Sequence, residues 1–151
     1  MSEYAQSPAA QIKAAIVRHL RGCAGGFSLP IPVEQIRGTL DVSGTPREAY
    51  GLVVSVEDLG DHDGWNTGRV LVDVRATITA YTHIEEDADG VLCDSLAAET
   101  LEAMAGIQYN LNGWLVHYNG NWGASDVSMD GAYRSITLAA TLPLNYIGDS
   151  Q

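Results

Sequence analysis

Basic residues are scarce in this chain. Eight Lys and Arg stand against 19 Asp and Glu, for a formal net charge of −11 and a pI near 4.5. A chain this acidic does not hold phosphate by bulk attraction, which argues against a sequence-reading nucleic-acid binder. Cysteine is scarcer still. Cys23 and Cys93 lie far apart and lack metal-ligand spacing. Both fall on predicted helices, where a free thiol packs as a small apolar group; the alternative is a disulfide or a reactive pair. They do not fix the compartment. Long apolar runs are missing: Leu52-Val53-Val54 is far short of the roughly 20 residues a membrane helix needs. Met1 to Ala10 has neither a basic start nor an apolar centre, so it does not read as a signal peptide. No Gly-x-Ser-x-Gly elbow, phosphate loop or dinucleotide-binding glycine fingerprint occurs. Internal repeats, low-complexity tracts and linkers are also absent. The expectation is a soluble chain, intracellular or packaged into an assembly made inside a cell.

What is present suits one domain of 151 residues, 46% hydrophobic. A compact chain of this size buries roughly 68–70% of its unfolded surface and needs no disulfide or metal staple. Ser7-Pro8 opens a helix predicted over 8–22, with Ile12, Ile16 and Leu20 on one face and Lys13, Arg18 and Arg21 mostly off it. Gly22, Gly25 and Gly26 stop it. Pro30-Ile31-Pro32 fits an edge or lead-in strand, and Val33 to Arg37 a short strand. Ser43 to Pro46 reads as a loop. Alternation over Gly51 to Glu57, and again from Arg69 to Tyr81, predicts two strands with one face on a core and the other toward water or a neighbouring subunit. A polar hairpin loop, residues 58–68, joins them. A second helix starts in Asp87 to Gly90 and runs toward Gly106, with Cys93, Leu96, Ala97, Thr100, Leu101 and Met104 inward and Asp94, Ser95, Glu99 and Glu102 mostly outward. Two last strands, Trp114 to Tyr118 and roughly 132–143, flank a Gly-, Asn-, Asp- and Ser-rich connection. This order predicts an α+β fold, a mainly antiparallel sheet of four to five strands with two helices packed on one face.

Candidate chemistry is thin. Asp58, Asp61 and Asp63 can gather a hard cation, but Trp65 stands where a third calcium-loop ligand belongs and no Glu follows at the twelfth position. A solvated hairpin tip is the plainer reading. His19, His62, His83 and His117 form no two-histidine metal spacing, and none has an evident partner for general-base work. Trp114, Tyr118 and Trp122, beside Asn119 and Asn121, suit either a strand with an aromatic face on the core, ended by an Asn119-Gly120 turn, or a subunit contact or sugar platform. No cofactor is called for.

The element order and the second half of the chain resemble the tail-terminator family of long-tailed bacteriophages, also called minor tail or tail-completion proteins. The resemblance rests on the helix Ala9 to Arg21, the Pro-containing approach to the strand at Gly51, and the long strand Arg69 to Thr82 running into the helix Val91 to Met104. It extends to the closing Asp130-Gly131-Ala132-Tyr133-Arg134-Ser135-Ile136-Thr137-Leu138. A longer connection between the last two strands and a more acidic balance set this chain apart. The resemblance implies a single domain spanning 1–151 that forms a homo-hexameric ring, caps the tail tube, ends its polymerisation and offers a docking surface for the head or neck. It implies a structural role without catalysis, on the virion, with tail tube protein and a neck or head-completion protein as partners and genomic DNA passing through the lumen.

Six copies at −11 carry −66 together, and a lumen lined with carboxylates lets DNA slide past. The candidate channel-facing acids are Glu57, Asp58, Asp61, Asp63, Glu85, Glu86 and Asp87. The candidate interface residues are Arg69, Arg75, Trp114, Tyr118 and Trp122. Competing readings are a head-completion or neck (head–tail connector) protein, a small metal-dependent enzyme built on the acidic loop, and a sugar-binding module.

Overall fold

The computed structural model describes residues 7–38, 48–61 and 71–147. Helix α1 spans Pro8–Cys23. It starts where the Ser7 hydroxyl accepts the Ala10 N–H at 3.1 Å, satisfying one of the orphan donors of the first turn. Ile12, Ile16 and Leu20 are wholly buried along one stripe. A short 3₁₀ turn, Ala24–Gly26, follows, and a second, Val33–Gln35, leads into strand β1, Ile36–Arg37. The predicted strand at Val33 to Arg37 is therefore mostly turn: Pro32 sets the bend, and its carbonyl accepts the Gln35 N–H at 2.9 Å.

Three long strands build the sheet: β2 Tyr50–Asp61, β3 Leu71–His83 and β7 Tyr133–Tyr146. Helix α2, Val91–Met104, and the short strands β4 Trp114–Val116, β5 Gly123–Ala124 and β6 Ser128–Asp130 lie between β3 and β7 in sequence. The sheet runs β1-β2-β3-β7-β4, with β5 and β6 also pairing β7. Among the described residues only the β1–β2 pair is parallel. The fold is thus α+β with a mostly antiparallel sheet, but seven strands replace the expected four to five. The extra ones, β5 and β6, are two- and three-residue segments that become strands by pairing with β7.

Register explains the core. Leu52, Ala80 and Ile136 form one cross-strand row, Val54, Ile78 and Leu138 the next, and Val74 and Leu142 another. Because side chains alternate faces, this register puts every member of these rows on the same side. Both helices cover that side, α1 over β1 and β2, α2 over β3 and β7. Beyond the predicted end at Glu57, β2 continues to Asp61 across a bulge at Leu59. At the other end of the chain, β6 turns into β7 through Gly131-Ala132, where Gly131 takes φ 63° as a two-residue hairpin demands. The expected loop at Ser43 to Pro46 and most of the hairpin loop, from 62 on, lie outside the described residues. Among the described residues, no helix is long and apolar enough to cross a membrane.

Candidate functional site

The face of the sheet away from the two helices follows from the same register. Val53, Thr79 and Thr137 make one row, Ser55, Thr77 and Ala139 the next, and Glu57, Arg75 and Thr141 a third. The Thr79 and Thr137 hydroxyls meet at 3.3 Å, and the Thr77 hydroxyl donates to the Ser55 carbonyl at 3.4 Å. Ser55, Glu57, Arg75 and Thr141 are exposed. Arg75, a predicted interface residue, therefore stands on this open face directly opposite Glu57. Arg69 lies outside the described residues.

One end of this face is closed by a network that sequence reasoning missed. Tyr81 has the parity of the open face yet is buried. Its hydroxyl donates to Glu48 Oε1 at 3.0 Å, while Glu48 Oε2 pairs with Arg37, whose Nε donates to the Glu34 carbonyl at 3.1 Å. The Tyr81 ring meets Tyr133 edge-on at 5.8 Å, and Tyr133 meets His83 at 5.1 Å. Burial, together with the hydrogen bond to Glu48, pushes the Tyr81 phenol far above its ordinary range. The hydroxyl sits over Gly51, where a Cβ would also fall 2.5 Å from the Gln35 carbonyl. The only advance signal was a glycine at the start of a strand.

The candidate channel acids divide. Glu57 and Asp58 are exposed near one end of β3, and Glu85 and Glu86 follow its other end. At about 3.4 Å per residue the two groups are roughly 30 Å apart, so they do not form one patch. Asp61 ends β2, and Asp63 lies outside the described residues.

Asp87 contradicts its assignment as a surface acid. It is 2% exposed and serves as the remote N-cap of α2. Its carboxylate accepts the Leu92 and Cys93 N–H groups and the Thr82 hydroxyl, each at 2.9 Å, with Arg134 Nη1 at 3.6 Å. Burial pushes its pKa up, but those donors and the guanidinium outweigh it and hold the carboxyl below the ordinary range. Sequence correctly placed an acid at the helix start but could not see that the turn folds it inward.

The aromatic segment also divides. Trp114 and Trp122 are half-buried and pack against the core, Trp114 edge-on to Tyr146 at 5.1 Å. Tyr118 is exposed. Asn119, at the expected turn, is also a tie-point. Its Oδ1 accepts the Tyr109 hydroxyl at 2.7 Å and Trp122 Nε1–H at 3.3 Å, and its Nδ2 donates to the Met104 carbonyl at 2.7 Å. Gly120 takes φ 78°, and a Cβ there would come within 2.9 Å of Ala140 Cβ and the Thr141 carbonyl.

Both cysteines are free, Cys93 buried and Cys23 half-buried. Among the described residues, no three His, Cys, Asp or Glu side chains group as metal ligands. His19 Nε2–H donates to the Ala103 carbonyl at 2.8 Å and so joins α1 to the end of α2. His83 accepts the Glu85 N–H at Nδ1 at 3.2 Å. His62 lies outside the described residues.

No family model and no curated protein matches the sequence. Twelve chains among solved structures match the fold. One, whose name states no function, is 17% identical with a TM-score of 0.54, over 94% of this chain and 97% of its own. At that identity the likeness is one of fold, and it runs nearly end to end in both chains.

Proposed function

We propose that this protein is a structural virion subunit that caps a bacteriophage tail tube as a homo-hexameric ring. In this role it ends tube polymerisation, offers a face to the neck or head-completion protein, and lets genomic DNA pass through the lumen. It performs no chemistry; binding at the end of a growing tube is its whole mechanism. The carrying observation is the one-sided sheet. Three strands of 12 to 14 residues receive helices on one face, while among the described residues no helix covers the Thr-rich opposite face, where Ser55, Glu57, Arg75 and Thr141 are exposed and available for contact outside the subunit. Leu115, Tyr118, Tyr146 and Ile147, each at least 45% exposed near the β4 edge, add apolar surface of the kind found at interfaces. The exposed Glu57 and Asp58 supply the acidic end suited to a DNA passage.

The test is the mass of the purified protein, alone and with tail tubes. A closed ring, above all six copies on a tube end, is the expected result. A monomer with no affinity for tubes overturns the reading.

A further inference from the structure

The two helices carry opposite charge. Helix α1 holds Lys13, Arg18 and Arg21 and no acid; α2 holds Asp94, Glu99 and Glu102 and no cation. In a chain at −11, a helix without a single carboxylate is a strong local reversal of sign. The sheet sets the two helices side by side, α1 over the β1–β2 edge and α2 toward the β7 edge. The subunit is therefore positive along one flank of its helical layer and negative along the other.

Arg18, Arg21, Asp94 and Glu102 are exposed, and the half-buried Lys13 lies along Gly38. Alongside α1 runs an open groove of about 520 Å³ lined by Ala10, Lys13, Ala14, Val17, Arg18, Arg21 and Gly38, with no acid among the described lining residues. Its floor is apolar and its rim cationic. Arg21 uses Nε and Nη2 on the Ile36 carbonyl, at 3.2 and 2.8 Å, which fixes that guanidinium at the groove's end. On α2, Asp94, Ala98 and Glu102 form an exposed ridge. Glu99 is committed within the subunit: it accepts the Ser28 N–H at 2.9 Å, and that bond chiefly holds its carboxyl below the ordinary range. Asp94 and Glu102 are eight positions apart, as are Lys13 and Arg21. At 1.5 Å per residue both pairs span about 12 Å, so the two charge sets match in pitch.

We propose that the α1 groove of one copy receives the Asp94–Glu102 ridge of α2 from the next copy. The contact is heterologous, positive flank to negative flank, and repeats head to tail; a rotation that closes makes it a ring. This rests on the ring reading above and names the surfaces that build it. Nucleic acid is the weaker occupant. Three phosphate contacts give a salt slope of only about −3, against the field of an acidic molecule.

The full-length chain is tested as K13E/R18E and as D94K/E102K, by sedimentation at low and high salt, alone and mixed. Wild type is expected to form a closed multimer. Its half-assembly concentration should rise roughly tenfold or more between about 0.05 and 1 M salt, as screening shortens to about 3 Å. Each reversed variant should stay monomeric where wild type assembles, and the equimolar mixture should recover a multimer holding both chains. The neutral variants K13Q/R18Q and D94N/E102Q, which remove charge without reversing it, should weaken assembly by a smaller factor and guard against misfolding of the reversed pair. A multimer of unchanged mass in all four variants overturns this contact and leaves the ring standing. A wild type that is monomeric alone and with tail tubes overturns both. Duplex DNA retarded by wild type and released by K13E/R18E, with the mass unchanged, overturns the contact in favour of a nucleic-acid surface.

Discussion

Asp87 shows how one buried carboxylate can organise a helix start. Gly90 precedes α2 and has no side chain to cap it, so the cap comes from three residues further back. Replacing Asp87 by Ala removes three hydrogen bonds and leaves Arg134 facing the emptied site. A loss of about 3 kcal/mol in urea unfolding is expected, the range for breaking a buried ion pair. The pH dependence has a definite sign. The folded pKa lies below the unfolded value of about 3.9, so the contribution is present above that value and lost as pH falls through the folded pKa. Asp87→Asn should therefore be less stable at neutral pH and show a shallower decline below about pH 4 than wild type. An unchanged acid slope would remove Asp87 from that role. Gly120 is a second residue-scale constraint. With φ 78° and a Cβ site 2.9 Å from two β7 atoms, Gly120→Ala should cost at least about 2 kcal/mol in the same measurement.

Among the elements, the link between α2 and the β4–β5 segment depends on Asn119. It joins Tyr109, Met104 and Trp122 through one amide. Asn119→Ala should cost about 2 kcal/mol and loosen the Trp122 indole. With Trp65 and Trp114 replaced by Phe, acrylamide quenching of the remaining Trp122 should rise; unchanged quenching would show that packing alone holds the ring. The same segment marks where sequence reading stops. β3 was legible because Val72, Val74, Ala76, Ile78 and Ala80 all face one core, and α1 because Ile12, Ile16 and Leu20 do. Gly123 and Ala124 carry no such pattern; they form a strand only because β7 presents Ala139 and Leu138 to them. Tyr81 departs from the pattern in the other direction. Its parity points to the open face, and groups distant in sequence, Glu48 with Arg37 and the Tyr133 ring, bury it there.

At the scale of the molecule, the acidic balance resolves into separate arrangements. Asp87 is structural, Asp94 and Glu102 form a lateral ridge, and the exposed Glu57 and Asp58 stand at the sheet end from which the 62–70 segment departs. Glu85 and Glu86 lie at the far end of β3, so a ring built by lateral contact presents the two acidic groups at opposite ends of its sheets. One group can border the DNA passage without the other, which makes the roles separable by mutation. If the β2 end faces the lumen, Asp58→Asn, Asp61→Asn and Asp63→Asn together should leave ring mass and tube capping intact, because none of them is among the residues proposed for the contact between copies. DNA ejection from tails capped by the triple variant should slow, since the lumen would lose three carboxylates per subunit and with them much of its repulsion of phosphate. Neutralising Glu85 and Glu86 instead should leave ejection unchanged. Equal slowing by both sets would mean that charge acts through the whole ring rather than at one rim, and normal ejection in both would take these acids out of the channel.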